Sequence, residues 1–456
     1  MTNLQAMLDL NKVESSGLPS STFARKLPKL TGHDTLESRT LLLDGQYNHA
    51  DRICPADADF RYQDKCSGFS YCDTEKVDTA ELHGNKVISL FSGAGGMDLG
   101  LEMAGFSTSS CIEIDGHCRE TLRHNRPAWN LNHGTDLAVQ GDIRNITVER
   151  ILESSGLEIG EAALIVGGPP CQPFSNIGKK LGAADELNGD LSQHFMRMVK
   201  GCLPRAFIFE NVAGFHQGKH RETLDTILEE AAGAGYSVTY TILNTADYGV
   251  PQQRKRFLIL GLRGNRKPSL PFPTHFNSEK DAINFYERVG RGKYIHFKPW
   301  KTVSDAFGEI QDTHKERSDY ALMNISPMVK ARMAVLRQGE NFKALPMEMR
   351  PNCWKNGKHQ GQDTFGRLRE DRPSVTIRTA AYNPAKGMYI HPYENRGLSS
   401  HEMAALQSFP AEWEFRCVGS QRVTLVSVGK QIGNAVPPLL ARAVGLTLKA
   451  ELMAAK

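Results

Sequence analysis

The sequence predicts an α/β protein: a doubly wound, mostly parallel sheet with a second, smaller domain attached. Three short predicted strands favour this fold class, at 87–91, 109–112 and 162–166. Each run is short enough for a buried strand and is followed by glycine, proline or acidic residues. Because open α/β sheets bind their ligands beyond the carboxyl ends of the strands, the functional residues are expected there.

The first predicted strand runs into a glycine-rich turn, Phe91-Ser92-Gly93-Ala94-Gly95-Gly96. A strand, a Gly-x-Gly turn and a following helix let the backbone approach a nucleotide-like cofactor closely. The second strand ends in Glu113-Ile114, and Glu113 follows Gly93 by 20 residues, the spacing at which an acid meets ribose hydroxyls. Each signal alone is compatible with an ordinary tight turn or cap.

A third strand is predicted to end at Gly141-Asp142-Ile143. At that position Asp142 would accept a hydrogen bond from an adenine amino group, although a single acid at a strand end is usually a turn or cap residue. Three successive strand ends that carry Gly-x-Gly, Glu and Asp together indicate a nucleotide-like cofactor site.

The run at 162–166 leads to Gly167-Gly168-Pro169-Pro170-Cys171-Gln172-Pro173-Phe174-Ser175. Prolines on both sides of Cys171 fix backbone φ and remove donors, so the thiol is carried on a stiff loop beyond a strand. A free cysteine is most often a small buried hydrophobe. The loop between proline clusters instead favours a nucleophile.

Two further segments add charged side chains near the same sheet edge. The apolar run 206–209 delivers Glu210-Asn211-Val212, and burial there would raise the pKa of Glu210 and favour its protonated form. Gln252, Arg254 and Arg256 alternate before the apolar residues 257–260, so in a strand their side chains would share one face and reach the site.

Composition limits the class of protein. The chain has 456 residues, 40% apolar and 23% charged, with no apolar window approaching the ~18 residues of a membrane span. Met1–Gln5 has no basic and apolar leader pattern. Nine cysteines without CxxC pairs suit reduced thiols in the cytoplasm, and the spacing of Cys54, Cys66 and Cys72 matches no usual zinc pattern, so no metal is expected.

Charge is distributed unevenly. Residues 1–84 hold 9 basic and 13 acidic side chains, whereas residues 265–392 hold 22 basic and 13 acidic ones. The basic segment also carries many aromatic residues, a combination that suits phosphate contacts and base stacking. It is therefore the predicted nucleic-acid surface, although charge alone is also compatible with a solvated face.

The motifs together resemble the cytosine-C5 DNA methyltransferases. The Pro-Cys loop, Glu210-Asn211-Val212 and the Gln252-x-Arg254-x-Arg256 pattern are similar to that family's catalytic motifs, in the family's order. Lys430-Gln431-Ile432-Gly433-Asn434-Ala435-Val436 resembles its last motif. The resemblance covers about residues 86–445 and implies a Rossmann-like class I methyltransferase fold with a target-recognition domain.

The resemblance also implies roles. S-adenosylmethionine is the implied cofactor, and Cys171, Glu210, Arg254 and Arg256 are the implied catalytic residues for methylating a flipped-out cytosine through a covalent adduct. The implied cofactor residues are Phe91, Gly93, Gly95, Glu113, Ile114, Asp142, Ile143, Pro169, Asn434 and Val436. The DNA contacts are assigned to Gln252, Arg367, Arg369 and Arg378.

Four segments are expected: an N-terminal extension at 1–84, a catalytic domain at 85–264, a recognition domain at 265–395 and helices at 396–456 that return to the catalytic domain. Double-stranded DNA is the implied partner of a monomeric, cytoplasmic, nucleoid-associated enzyme, with a possible companion restriction endonuclease and no membrane. Two alternatives stay open: an RNA (tRNA) cytosine methyltransferase, and a DNA-binding regulator acting through residues 1–84.

Overall fold

The computed structural model describes residues 70–77, 84–129, 141–170, 191–289, 297–308, 310, 315–355, 361, 363–419 and 422–454. The strands are β1 Tyr71–Cys72, β2 Lys86–Leu90, β3 Ser107–Ile112, β4 Leu164–Gly167, β5 Ala206–Val212, β6 Tyr236–Asn244, β7 Lys255–Arg263 and β8 Leu270–Pro271. The helices are α1 Gly96–Met103, α2 Gly116–Asn125, α3 Val148–Ser155, α4 Leu191–Cys202, α5 Arg221–Gly233, α6 Glu279–Arg288, α7 Val303–Gly308, α8 Pro327–Val335, α9 Asn352–Lys355, α10 Ser400–Leu406, α11 Leu425–Asn434 and α12 Pro438–Met453.

Six of these strands form one sheet in the order β3-β2-β4-β5-β7-β6. The pairs β2–β3, β2–β4 and β4–β5 are parallel, whereas β7 runs antiparallel to both β5 and β6. The predicted doubly wound, mostly parallel sheet is therefore confirmed. The carboxyl ends of β2, β3, β4 and β5 share one edge, and β7 begins at that edge, where Val212 pairs with Arg256.

Side chains alternate across the sheet, so each strand feeds two hydrophobic cores. On one face, residues such as Ile88, Ile165 and Phe207 pack against α3, α4 and α5. On the other face, Val87 and Leu164 belong to a core that includes α1 and α12. The C-terminal helix is thus a structural part of the sheet domain.

Helices α1 and α12 approach each other closely because glycine lies at their crossing. A Cβ on Gly100 would lie 2.2 Å from the carbonyl oxygen of Pro438, and one on Gly96 would lie 2.3 Å from that of Val436. Side chains at these positions are therefore sterically excluded, and the chain around Val436 is held against the glycine-rich turn.

Part of the predicted recognition segment shares its hydrophobic core with the sheet domain. Ile377 and Tyr389 share one hydrophobic cluster with Leu99 of the sheet domain. Two smaller clusters, one around Met333 and Phe365 and one around the aromatic residues of α6, lie within 265–395. The described end of the N-terminal extension joins this segment, since β1 pairs in parallel with β8.

Residues 1–69 and 78–83 lie outside the described residues, so the expectations for most of the extension stay predictions. No helix in the described ranges has both the length and the apolar content needed to cross a membrane.

Candidate active site

A cavity of about 600 Å³ opens at the carboxyl edge of the sheet. Its walls come from the turn after β2 and the start of α1, the end of β3, the loop after β4, the junction of β5 and β7, residues 376–379, and α11 with the residues that follow it. The lining residues include Phe91, Gly93, Asp98, Glu113, Ile114, Gly168, Pro169, Pro170, Glu210, Arg254, Arg256, Arg378, Thr379, Lys430, Asn434 and Val436.

The turn after β2 is shaped by residues with positive φ. Phe91 has a φ of 57°, which is unusual for a non-glycine residue, and Gly93 and Gly95 have φ values of 56° and 81°. Open space surrounds the Cβ position of Gly93, where a ligand could come close to the backbone. Gly95 instead faces Leu122 and Trp413, so it serves packing and does not line the cavity.

Glu113 is fixed by two backbone amides. Its Oε2 accepts from Gly93 N and its Oε1 from Asp115 N, both at 2.7 Å. Burial raises the pKa of Glu113, while the two amide hydrogen bonds partly counteract the shift. Each carboxylate oxygen keeps a second lone pair, so Glu113 can still accept from a ligand hydroxyl. Ile114 follows it and is 59% exposed in the cavity wall.

Asp142 and Ile143 are placed differently from the expectation. The Asp142 carboxylate binds the Arg144 guanidinium at 2.6–3.0 Å and caps the turn Ile143–Asn145, and neither residue is among those that line the cavity. Gly141 lies against the backbone of Glu113, where a Cβ would be 2.1 Å from its carbonyl oxygen. The predicted strand before Gly141 lies outside the described residues.

Glu210 and Arg256 form a buried ion pair at the junction of β5 and β7. Arg256 Nε lies 2.7 Å from Glu210 Oε1, and both side chains are almost inaccessible. Burial raises the pKa of Glu210, and the positive charges of Arg256 and Arg254 oppose that rise. A buried carboxyl with a raised pKa can act as a proton donor.

The loop after β4 is held against the same pair. A Cβ on Gly168 would lie 2.7 Å from Glu210 Oε2, so a side chain at this position would displace the carboxylate. Asn211 Nδ2 donates to Pro169 O at 3.1 Å, which ties the loop to the end of β5. The loop therefore approaches Glu210 at Gly168–Pro170; Cys171 itself lies outside the described residues.

Arg254 has a structural position behind this pair. Its side chain is 2% exposed, and it donates to Ile377 O and Gly433 O, both at 2.7 Å. Desolvation lowers the pKa of Arg254, and Arg256 adds to that effect. It lines the cavity but mainly joins the recognition segment and α11 to the start of β7.

The prediction that Gln252 contacts DNA is wrong. β7 begins at Lys255, so Gln252 and Arg254 precede the strand and do not alternate along it with Arg256. Gln252 is fully buried, with Nε2 donating to Leu406 O and Gln407 Oε1 and with Oε1 accepting from Ile377 N. Its hydrogen-bonding groups are used within the protein.

The same correction applies to Arg367. It is 4% exposed, and its guanidinium donates to the carbonyls of Leu336, His391, Glu394 and Met333 and to the side chain of Asn395. A guanidinium has five N–H donors, and these contacts leave none for a base.

The other two predicted DNA contacts lie nearer to solvent. Arg369 binds Asp371 at the surface, with Nε 2.9 Å from Oδ1, and it does not line the cavity. Arg378 is exposed and lines the cavity next to Thr379. Asn434 and Val436, two of the predicted cofactor residues, also line the cavity.

Sequence reasoning missed Asp98, the third residue of α1. It is fully buried, yet it lines the cavity, and its Oδ2 has no hydrogen-bond partner in the described structure. An acid in the first turn of a helix is common because it suits the helix dipole, so its sequence context gave no signal. The described residues also include no cluster of three His, Cys, Asp or Glu side chains that could hold a metal.

A second cavity, of about 670 Å³, lies between the described end of the N-terminal extension and the start of α12. Lys298, Lys301, Arg442 and His275 line it, and burial together with the two lysines lowers the pKa of His275 to about 4. Part of the predicted basic surface is thus gathered around this opening.

Comparison with known proteins identifies related chains. The family model for C-5 cytosine-specific DNA methylase matches residues 85–450. The Type II methyltransferase M.Sau96I of Staphylococcus aureus is 30% identical over 458 residues, covering 98% of this chain and 94% of its own. M.AquIA of a Picosynechococcus strain is 42% identical over 234 residues, covering 49% and 88%. The crystal structure of a prophage-encoded E. coli protein has the same fold, with a TM-score of 0.56 and 23% identity over 81% of this chain and 99% of that one.

The role assigned to Arg254 can be tested by Arg254→Met. We expect the free energy of unfolding to fall by about 2–5 kcal/mol, because two buried carbonyl groups lose their donors. Chemical denaturation would measure the change. Arg263→Met is the matched control: Arg263 is exposed and donates to Leu203 O at the surface, so its loss should cost less than about 0.5 kcal/mol. Equal losses in the two variants would contradict the assignment.

Proposed function

This chain belongs to the C-5 cytosine-specific DNA methylase family, and on that premise we propose that the cavity at the sheet edge is where S-adenosylmethionine and a cytosine of DNA meet. The chain is a DNA (cytosine-5-)-methyltransferase. The observation that carries the site assignment is the buried Glu210–Arg256 pair, with Gly168 of the Pro-Cys loop directly against it.

The cavity fits the proposed cofactor on several grounds. Its volume of about 600 Å³ lies within the range of small-molecule sites. The positive-φ turn leaves the Gly93 backbone open, Glu113 can accept from ribose hydroxyls, and Asn434 and Val436 also line the cavity. S-adenosylmethionine supplies the methyl group when bound. Asp142 and Ile143 are left out of this proposal because neither lines the cavity and the Asp142 carboxylate is bound by Arg144.

Cys171 is proposed to add to carbon 6 of cytosine as a thiolate. Carbon 5 is a poor nucleophile in the intact ring, and addition at carbon 6 raises its electron density. After carbon 5 is methylated, its proton is removed and the thiolate leaves, which restores the aromatic ring. The support for this role is the position of the loop: Gly168–Pro170 brings the chain to Glu210 immediately before Cys171.

Glu210 is proposed to hydrogen-bond ring N3 and the exocyclic amine. Charge appears on N3 when the thiolate adds, and a protonated Glu210 would neutralise it. The raised pKa of the buried carboxyl favours that protonated form. Arg256 would hold Glu210 and the O2 side of the base, whereas Arg254 positions the walls through Ile377 and Gly433.

Carbon 6 is stacked within a duplex, so the target base is proposed to flip out into the cavity. Arg378 lies exposed at the cavity wall and is the proposed DNA-contacting arginine; Arg369 is a weaker candidate because Asp371 binds it. A companion restriction endonuclease for the same sequence, a monomeric state and a cytoplasmic location with the nucleoid are further parts of this proposal.

The two alternatives are less well supported. The matching family model specifies DNA, and this favours a DNA substrate over RNA. A regulatory role for residues 1–84 would be additional to catalysis, and methylation assays on duplex DNA and tRNA would separate these possibilities.

Cys171→Ser should abolish methyl transfer while leaving DNA binding within a few-fold of wild type, because the hydroxyl is a far weaker nucleophile. Duplex DNA with 5-fluorocytosine at the target should trap wild type covalently, as seen by a gel shift under denaturing conditions. Cys353→Ser is the matched control, since Cys353 is an exposed cysteine elsewhere on the chain. Trapping that survives Cys171→Ser would overturn the nucleophile assignment.

Glu210→Gln should lower kcat by about 100- to 10,000-fold, since a general acid contributes about that much. In wild type, kcat should fall as pH rises through the raised pKa of Glu210, because only the protonated form donates to N3. Single-turnover rates over a pH series would measure both effects. A variant that keeps the wild-type pH profile would show that Glu210 is not the titrating acid.

If the Arg378 side chain reads a base, Arg378→Gln should weaken binding of cognate DNA by about 1–3 kcal/mol. The variant should also tolerate other bases at one position of the recognised sequence. Arg150→Gln on α3 removes the same charge at a partly exposed site that does not line the cavity and should change little. Fluorescence anisotropy with cognate and altered duplexes is the measurement. A uniform loss on all sequences, with a smaller salt dependence, would identify a phosphate contact instead.

A further inference from the structure

Asp98 is an acidic residue that no part of the proposed chemistry uses. Its side chain is completely buried on α1, yet the residue lines the cavity. The Cys111 thiol lies 4.0 Å from Oδ1, and Oδ2 has no hydrogen-bond partner among the described residues. A buried carboxylate oxygen is normally satisfied, so an unpaired one beside a ligand cavity calls for a partner from the ligand.

The charges around Asp98 do not supply that partner from within the protein. Glu113 at the end of β3 and Glu102 on α1 are the charged groups that act on it, and both are negative. Cys111 on the neighbouring strand has its pKa raised well above the ordinary value, first by burial and then by Asp98, and so stays a neutral thiol. Lys430, a cation that lines the same cavity, lies 3.9 Å from Asp115.

We propose that Asp98 binds a positive charge of the methyl donor and makes this end of the cavity selective for a cationic ligand. The inference rests on the proposed function. S-adenosylmethionine carries two such charges, a sulfonium and an ammonium, whereas its demethylated product keeps only the ammonium. The unpaired Oδ2 of this buried carboxylate is suited to either charge, since the cost of burying the carboxylate falls once a cation lies beside it.

Proton linkage follows from this arrangement. Burial, with a smaller contribution from the charges of Glu113 and Glu102, raises the pKa of Asp98 to about 6 despite the opposing effect of the Ser89 hydroxyl. In the free protein Asp98 is therefore half protonated near pH 6, and a bound cation would pull its pKa down. Binding should release a proton in that range, and affinity should fall as pH drops below about 6.

The test is isothermal titration calorimetry of S-adenosylmethionine and S-adenosylhomocysteine with wild type and Asp98→Asn, at pH 5.5 and 7.5. At pH 7.5 we expect the variant to bind S-adenosylmethionine at least tenfold more weakly. The proton release that wild type shows near pH 6, measured in buffers of different ionisation enthalpy, should decrease in the variant. Glu113 titrates in both proteins, so the difference between them isolates Asp98.

The two ligands distinguish the source of the charge. A loss of affinity confined to S-adenosylmethionine identifies the sulfonium as the partner, and equal losses for both ligands identify the ammonium. Glu102→Gln is the matched control on the same helix: Glu102 binds Arg126 and does not line the cavity, so at pH 7.5, where Asp98 is ionised in either protein, the variant should leave both affinities unchanged.

Unchanged affinity and proton release in Asp98→Asn would overturn the inference and leave Asp98 a structural residue of α1. Folding of the variant is checked by thermal melting. Since the folded pKa of Asp98 lies above its unfolded value, the ionised form destabilises the free protein above about pH 6, and the variant should melt at or above the wild-type temperature there. Failure of wild type to bind either ligand would instead contradict the proposed function.

Discussion

The site depends on one buried contact, the ion pair between Glu210 and Arg256. Two opposite charges without solvent are stable only when each is held at close range and in fixed geometry. The fold provides that geometry because β7 returns antiparallel beside β5 and places Arg256 next to Val212 at the edge where the parallel strands end. Gly168 then gives the Pro-Cys loop the space to lie against the carboxylate.

A second layer of contacts supports this pair. Arg254 donates to the carbonyls of Ile377 and of Gly433 in α11, so three distant parts of the chain meet behind the site. Gln252 adds further bonds to Ile377 and Gln407. The two polar residues that precede β7 are thus better described as a framework for the cavity than as ligand-binding groups.

The sequence was sufficient for the features that local patterns encode. The predicted strands at 87–91 and 162–166 and the glycine turn at Gly93 are each determined by neighbouring residues, and the structure contains them. Gln252 and Arg367 could not be placed in that way, because their burial depends on carbonyl groups that lie far along the chain. An exposed, base-reading arginine and a buried, carbonyl-binding one have the same sequence signal.

Asp98 is the reverse case, a cavity residue that the sequence did not indicate. An acid at the start of a helix is common, and only the structure shows the cavity beside it. Its unpaired oxygen is a property of the packing between α1 and β3.

The contact between α1 and α12 has a consequence for synthesis of the enzyme. Residues 96–103 cannot complete their core until residues 438–453 have been translated, because Gly100 packs on the backbone of Pro438. Contacts so distant in sequence are formed late and slow folding. A ribosome-bound nascent chain therefore lacks one wall of the cavity until residues 430–453 have left the exit tunnel, and DNA meets a competent enzyme only after that point.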